Sequence, residues 1–123
     1  MGSVMGTRHG ANRMLERNIP LDITMIGVYL AKDVLLTKEP RRFWHNGVEI
    51  VANINNAGNP QILTAWNGEM PEVISSGLKS IDPMLTEALL QFRYAGYNIL
   101  AKKNNGTPTA VLVWKGDRHV SCK

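Results

Sequence analysis

Residues 80–114 have the sequence SIDPMLTEALLQFRYAGYNILAKKNNGTPTAVLVW, and this stretch decides the predicted fold. Asp82 is a favourable N-cap residue, and Pro83 suits the first helical position because its missing N–H would be unpaired there in any case. An apolar stripe follows at helical spacing, made of Leu85, Ala88, Leu89 and Phe92. Gly96 is typical of a helix end. The pattern therefore predicts a helix over about 82–96 that leads directly into a two-stranded hairpin.

Two patterns further upstream predict strands of the same sheet. Residues 23–30, ITMIGVYL, are apolar on both faces, as a buried central strand would be. Residues 41–54 contain a hairpin signal, because the dipeptide Asn46-Gly47 separates two strand-like runs and suits a type I′ turn. A second turn then leads to a strand at 61–66, which completes a three-stranded meander.

The expected architecture is a single α+β domain with a mostly antiparallel sheet of five or six strands. The main helix, about 82–96, is expected to pack on one face of this sheet. Residues 1–20 show neither helical nor strand periodicity, which predicts a mobile basic arm that folding does not need. The domain is therefore expected to span residues 21–123. Because one helix cannot cover strands that are apolar on both faces, we also expect a homo-oligomer.

Composition excludes several classes of protein. The single cysteine excludes an internal disulfide framework. No apolar run approaches the ~20 residues of a membrane-spanning helix, and the N-terminus lacks the apolar centre of a secretory signal. We therefore expect a cytoplasmic protein without a membrane partner. Neither glycine-rich nucleotide loops nor metal-ligand spacings occur in the sequence, so no cofactor and no metal are expected.

The net charge of +4 is concentrated at the two ends of the chain, and the middle of the chain is slightly acidic. Basic ends are compatible with nucleic acid or another anionic partner. They are equally compatible with solubility alone, because charge runs are usually solvated.

The densest cluster of polar and aromatic residues is RRFWHN at 41–46. On a strand these side chains alternate, so Arg42 and Trp44 lie on one face while Arg41 and Phe43 lie on the other. Either face combines a cation with an aromatic ring, which suits phosphate contact together with base stacking. With the basic C-terminal segment, this predicts an anion-binding site formed by Arg41, Arg42, Trp44, Lys115 and Arg118. The competing interpretation buries the rings in the core and leaves the arginines in solvent.

Two histidines are candidates for catalysis. If the last strand runs beside residues 41–45, His45 and His119 meet as general base and general acid for metal-independent RNA cleavage. Neighbouring arginines would then stabilise the charge that develops on the phosphate. The sequence itself does not bring the two histidines together, and a histidine near a chain end is usually only solvated.

Three functions remain open at this point. The preferred one is a small non-enzymatic binding protein whose partner is anionic, most simply nucleic acid. The second is a homo-oligomeric protein-interaction or inhibitor module of the kind found in phages and mobile elements. The third is a small metal-independent ribonuclease. A steep loss of affinity with rising salt distinguishes the first from the second, because phosphate contacts are salt-dependent.

Overall fold

A computed structural model of the protein describes residues 5–6 and 17–116. Its strands are β1 (Met5–Gly6), β2 (Arg41–His45), β3 (Val48–Ile54), β4 (Pro60–Asn67), β5 (Leu89–Tyr94), β6 (Tyr97–Asn104) and β7 (Thr107–Lys115). Two helices accompany them in the described part, α1 (Leu21–Val34) and α2 (Val73–Lys79). The strands form one sheet in the order β1-β4-β3-β2-β7-β6-β5. Apart from β1, which runs parallel to β4, the pairing is antiparallel, so the predicted α+β class is confirmed.

The sheet consists of two three-stranded meanders, β2-β3-β4 and β5-β6-β7, joined where β2 lies beside β7. The predicted hairpin at Asn46-Gly47 is confirmed: these residues have φ angles of 46° and 88°, as a type I′ turn requires. The strand predicted at 61–66 is also present, as the central part of β4.

The position predicted for the main helix, 82–96, is wrong. Asp82 does accept a hydrogen bond from the backbone N–H of Met84 (2.9 Å), but only a single turn follows it. From Leu89 onward the chain is β5, whose side chains alternate between exposed and half-buried. Ala95 and Gly96, with φ angles of 53° and 84°, form the tight turn into β6. The apolar residues of 82–96 fit both the helical period and the alternating period of a strand. Residues 89–94 form a strand because they pair with β6.

The strand predicted at 23–30 is also wrong, because these residues belong to α1, the longer of the two described helices. Thr24, Val28 and Ala31 form its buried side at i, i+4, i+7 spacing. β-branched residues lower helix propensity by less than about 0.7 kcal/mol each, an amount that packing on a sheet overrides. Ile23, Met25 and Val34 also pack against this cluster. Other apolar residues of the helix are exposed, among them Ile26, Tyr29 and Leu30.

The helices lie on opposite faces of the sheet. Phe43 and Trp44 are neighbours on β2 and therefore point to opposite faces. Phe43 belongs to the core cluster beneath α1, whereas Trp44 packs against the cluster beneath α2. Helix α2 contacts β7, whereas the main helix contacts of β2, β3 and β4 are with α1 on the opposite face.

Part of the segment predicted to be an arm contacts the core. Ile19 is 8% exposed and belongs to the cluster beneath α1. A guanidinium nitrogen of Arg17 donates to the carbonyl of Ala65 on β4 at 2.9 Å, and β1 pairs with β4. Residues 1–4 and 7–16 lie outside the described residues, so the mobility of the arm stays a prediction. The burial of Ile19 is a feature that the sequence did not indicate.

Candidate functional site

The contact between β2 and β7 creates a cavity. The two strands pair at Trp44 and Val113, and the same register continued by two residues would join Arg42 to Lys115. The ladder does not extend that far, and a cavity of about 520 Å³ lies there, the β2–β7 cavity. Four of the five residues predicted to bind an anion line it: Arg41, Arg42, Trp44 and Lys115. The fifth, Arg118, lies outside the described residues.

The residues lining the β2–β7 cavity come from both faces of the sheet. Arg41 is on the α1 side, whereas Arg42 and Lys115 are on the α2 side by alternation with Phe43 and Val113. Among the described lining residues, these three cations face one carboxylate, Glu49. The charge of the cavity is therefore positive.

Arg42 is held in place on the α2-side face. Its Nε donates to Oε1 of Glu49 at 3.2 Å, and its guanidinium lies 4.8 Å from the ring centroid of Trp66. The strand register explains the contact, because Glu49 lies opposite Trp44 on one side and Trp66 on the other. The Arg42 side chain is nevertheless 65% exposed, so most of its guanidinium group is accessible to a ligand.

Trp66 has two arginines near its ring. In addition to Arg42, Arg17 lies over the ring, with its guanidinium carbon 5.8 Å from the ring centroid. On β7, the ammonium group of Lys115 lies 5.9 Å from the ring centroid of Tyr97. Cations and aromatic rings therefore follow one another across the sheet. The strand register places Trp66 beside Glu49, and its half-buried ring also packs against the cluster beneath α1. This basic-aromatic band consists of Arg17, Trp66, Arg42, Trp44, Lys115 and Tyr97.

Trp44 also has a structural role. Its indole N–H donates to the carbonyl of Gly68 at 2.9 Å, and its half-buried ring packs against the cluster beneath α2. The burial of Phe43, which is 1% exposed, follows the competing interpretation of the 41–46 cluster. The exposure of Arg42 is expected by both interpretations, and its position over the ring of Trp66 is compatible with the binding interpretation.

Four members of the site were not predicted from the sequence: Arg17, Glu49, Trp66 and Tyr97. The position of Trp66 could have been derived from the register of the predicted meander. A two-residue turn at 46–47 places Glu49 opposite Trp44, and the next hairpin then places Trp66 opposite Glu49. The sequence shows no comparable signal for Arg17.

His45 lies in the core on the α1 side. It is 8% exposed, its Nδ1 donates to the carbonyl of Val111 at 2.8 Å, and its ring lies against Gly27. It does not line the β2–β7 cavity. The second candidate, His119, lies outside the described residues, so their meeting stays a prediction.

Among residues 5–6 and 17–116, no group of three or more His, Cys, Asp or Glu side chains is arranged to hold a metal ion. Neither of the described helices has the length and apolar character needed to span a membrane. Comparisons with protein-family models, curated proteins and solved structures gave no match. The function is therefore inferred from the chemistry of the site alone.

Proposed function

We propose that this protein is a non-enzymatic nucleic-acid-binding protein and that the basic-aromatic band is its contact surface. The observation that carries the proposal is that two guanidinium groups lie over the half-buried ring of Trp66, that of Arg42 at 4.8 Å and that of Arg17 at 5.8 Å from the ring centroid. Arginine donates to phosphate oxygens, and an indole face stacks on a base. Here both groups lie side by side.

The dimensions of the band favour a single strand. Neighbouring strands of a sheet lie about 4.8 Å apart, so the path from β7 to β4 is about 14 Å long. Cations stand at both ends of this path and near its middle. A single strand presents its phosphates and its unpaired bases to the same surface. In a duplex the bases are stacked and paired, and only the backbone would reach the band.

The test is equilibrium binding of fluorescein-labelled oligonucleotides, single-stranded and duplex, at low salt. Trp66→Leu keeps an apolar side chain but removes the stacking surface, so single-stranded affinity should fall by about 1–3 kcal/mol. Duplex affinity should fall less. The matched control is Tyr29→Leu, which removes an exposed aromatic ring from α1 on the other side of the molecule. Equal losses in the two variants, or a parent that binds neither oligonucleotide, would contradict the proposal.

Trp44 provides a second test on the same surface. Trp44→Ala should weaken single-stranded binding more than duplex binding if the ring contacts bases. Because Trp44 also packs against the cluster beneath α2, circular dichroism must first show that the variant folds. A folded Trp44→Ala protein with equal losses for both oligonucleotides would assign this tryptophan to packing alone.

The expected self-association stays a prediction, and one observation favours it. The outer side of α1 carries Ile26, Tyr29 and Leu30, of which Ile26 is 53% exposed. Light scattering at high micromolar concentration should show at least a dimer. Ile26→Lys should shift that dimer toward the monomer if α1 is the interface. A monomeric parent would contradict the prediction directly.

A further inference from the structure

Two residues that line the β2–β7 cavity have buried hydrogen-bond donors without partners among the described residues. Trp114 is 3% exposed, and its Nε1 is buried with no hydrogen-bond partner among the described residues. The same is true of Nε of Arg41. Both residues line the cavity. Buried donors are nearly always paired in folded proteins, so two unpaired donors at one cavity indicate that it receives an acceptor.

The charge of the cavity indicates an anionic acceptor. Arg42 and Lys115 line it together with Arg41, and Glu49 is the carboxylate among its described lining residues. Glu49 already accepts from Arg42 at 3.2 Å. The cavity therefore keeps an excess of positive charge after this ion pair is formed. A phosphate group presents several acceptor oxygens in different directions, and charge-assisted bonds to it are the strong ones.

The size of the cavity indicates more than a phosphate. Its volume of about 520 Å³ falls within the range of small-molecule sites. The aromatic rings of Trp44 and Tyr97 also line it. A nucleotide combines the required features, with a phosphate for the donors and a flat base for the rings.

We propose that the β2–β7 cavity binds one phosphorylated nucleotide unit, with its phosphate at Arg41 Nε and Trp114 Nε1. The inference rests on the proposed function, which it deepens by assigning one nucleotide of the bound strand to this cavity. The remaining nucleotides of the strand then lie along the band toward Trp66 and Arg17.

The experiment is calorimetric titration of the full chain at low salt with three probes: adenosine 5′-monophosphate, inorganic phosphate and adenosine. The monophosphate should bind, phosphate alone should bind more weakly, and adenosine should bind least. This order separates a nucleotide site from a site for free phosphate. A parent that binds none of the three at millimolar concentration overturns the inference, as does adenosine binding as tightly as its monophosphate.

Two variants test the donors one at a time. Arg41→Lys keeps the positive charge but lacks the Nε–H, and Trp114→Phe keeps an aromatic ring but lacks the indole N–H. Each should weaken monophosphate binding at least about tenfold, the loss expected for one charge-assisted hydrogen bond. Lys102→Gln is the matched control, because Lys102 is an exposed cation on β6 that belongs neither to the cavity lining nor to the band, and it should leave monophosphate binding unchanged. If Trp114→Phe fails to fold, Arg41→Lys alone tests the inference. This variant should fold, because Arg41 is only half-buried.

The same titrations separate this inference from the proposed function. A parent that binds the monophosphate but no oligonucleotide supports the cavity and overturns the function proposed for the band. A parent that binds oligonucleotides but not the monophosphate overturns the cavity and keeps the band. Folded Arg41→Lys and Trp114→Phe proteins with parental monophosphate affinity overturn the inference.

Discussion

At the scale of the residue, the contact between Gly27 and His45 shows how closely α1 approaches the sheet. A Cβ atom at position 27 would lie 2.9 Å from the ring atoms of His45 and 3.0 Å from its Cβ. The ring cannot move away cheaply, because its Nδ1 donates to the carbonyl of Val111 on β7. His45 thus connects α1, β2 and β7 at the point where the two meanders meet.

Gly27→Ala should therefore destabilise the protein, although alanine is the better helix former by about 1 kcal/mol. Overpacking of this kind costs about 1–3 kcal/mol, which exceeds the gain in propensity. Urea unfolding of the single variants and of Gly27→Ala combined with His45→Ala forms a double-mutant cycle. The glycine substitution should cost less when the ring is absent. Equal costs in both backgrounds would show that the ring is not what excludes the Cβ.

The sequence alone predicted on which face of β2 each side chain of the site lies. Alternation along 41–46 places Arg42 and Trp44 on one face and Phe43 and His45 on the other, as the structure shows. The environment of each side chain was not predictable in this way. It depends on β7, which comes from a distant part of the chain.

At the scale of the element, a strand was predicted correctly from the sequence where its turn had a recognisable sequence signal. The hairpins of the first meander were predicted because asparagine and glycine in their turns favour the required positive φ angles. The turn between β5 and β6 has Ala95, with a φ of 53°, where the two-residue turns at 46–47 and 105–106 have asparagine. Without that signal, the helical spacing of apolar residues in 82–96 pointed to the wrong element. The residues of α1 are apolar on all sides, and this pattern predicted a strand where the structure has a helix.

Ala95→Asn should stabilise the protein. An L-residue other than asparagine or aspartate pays about 1 kcal/mol or more for left-handed backbone, and asparagine relieves part of this cost. We expect a gain of about 0.5–1 kcal/mol in urea unfolding. Ala57→Asn is the matched control, because Ala57 is an exposed loop residue that is not among those with a positive φ. Comparable effects at both positions would show that backbone conformation is not the cause.

At the scale of the whole molecule, the β2–β7 cavity results from the way the two meanders join. Each meander is local in sequence, and its pairing follows from its turns. Their junction brings Trp44 beside Val113, which is 69 positions later in the chain. Short-range patterns do not encode such a pairing. The sequence therefore predicted four of the twelve residues that line the cavity, but it gave no signal for the strand pairing that leaves this space open.

The burial of Ile19 changes the result expected for deletions at the N-terminus. Removal of residues 1–16 should lower the free energy of unfolding only slightly, because within this range only the two-residue β1 has described contacts. Removal of residues 1–20 also removes Ile19 and the carbonyl of Pro20, which accepts from the Thr24 hydroxyl at 2.8 Å. This deletion should cost about 2–4 kcal/mol more. Urea unfolding compares the two proteins, and equal stabilities would show that the buried Ile19 contributes nothing.

The central claim is that the arginines at the β2–β7 cavity and along the basic-aromatic band bind phosphates. It is tested most directly by the affinity for a single-stranded oligonucleotide between about 50 and 200 mM salt. The double variant Arg41→Gln, Arg42→Gln should bind more weakly, and its salt slope should be smaller by roughly two phosphate contacts. Glu49→Gln should bind more tightly, because it releases Arg42 from its carboxylate. A folded double-arginine variant with the affinity and slope of the parent would contradict the claim, as would weaker binding by Glu49→Gln.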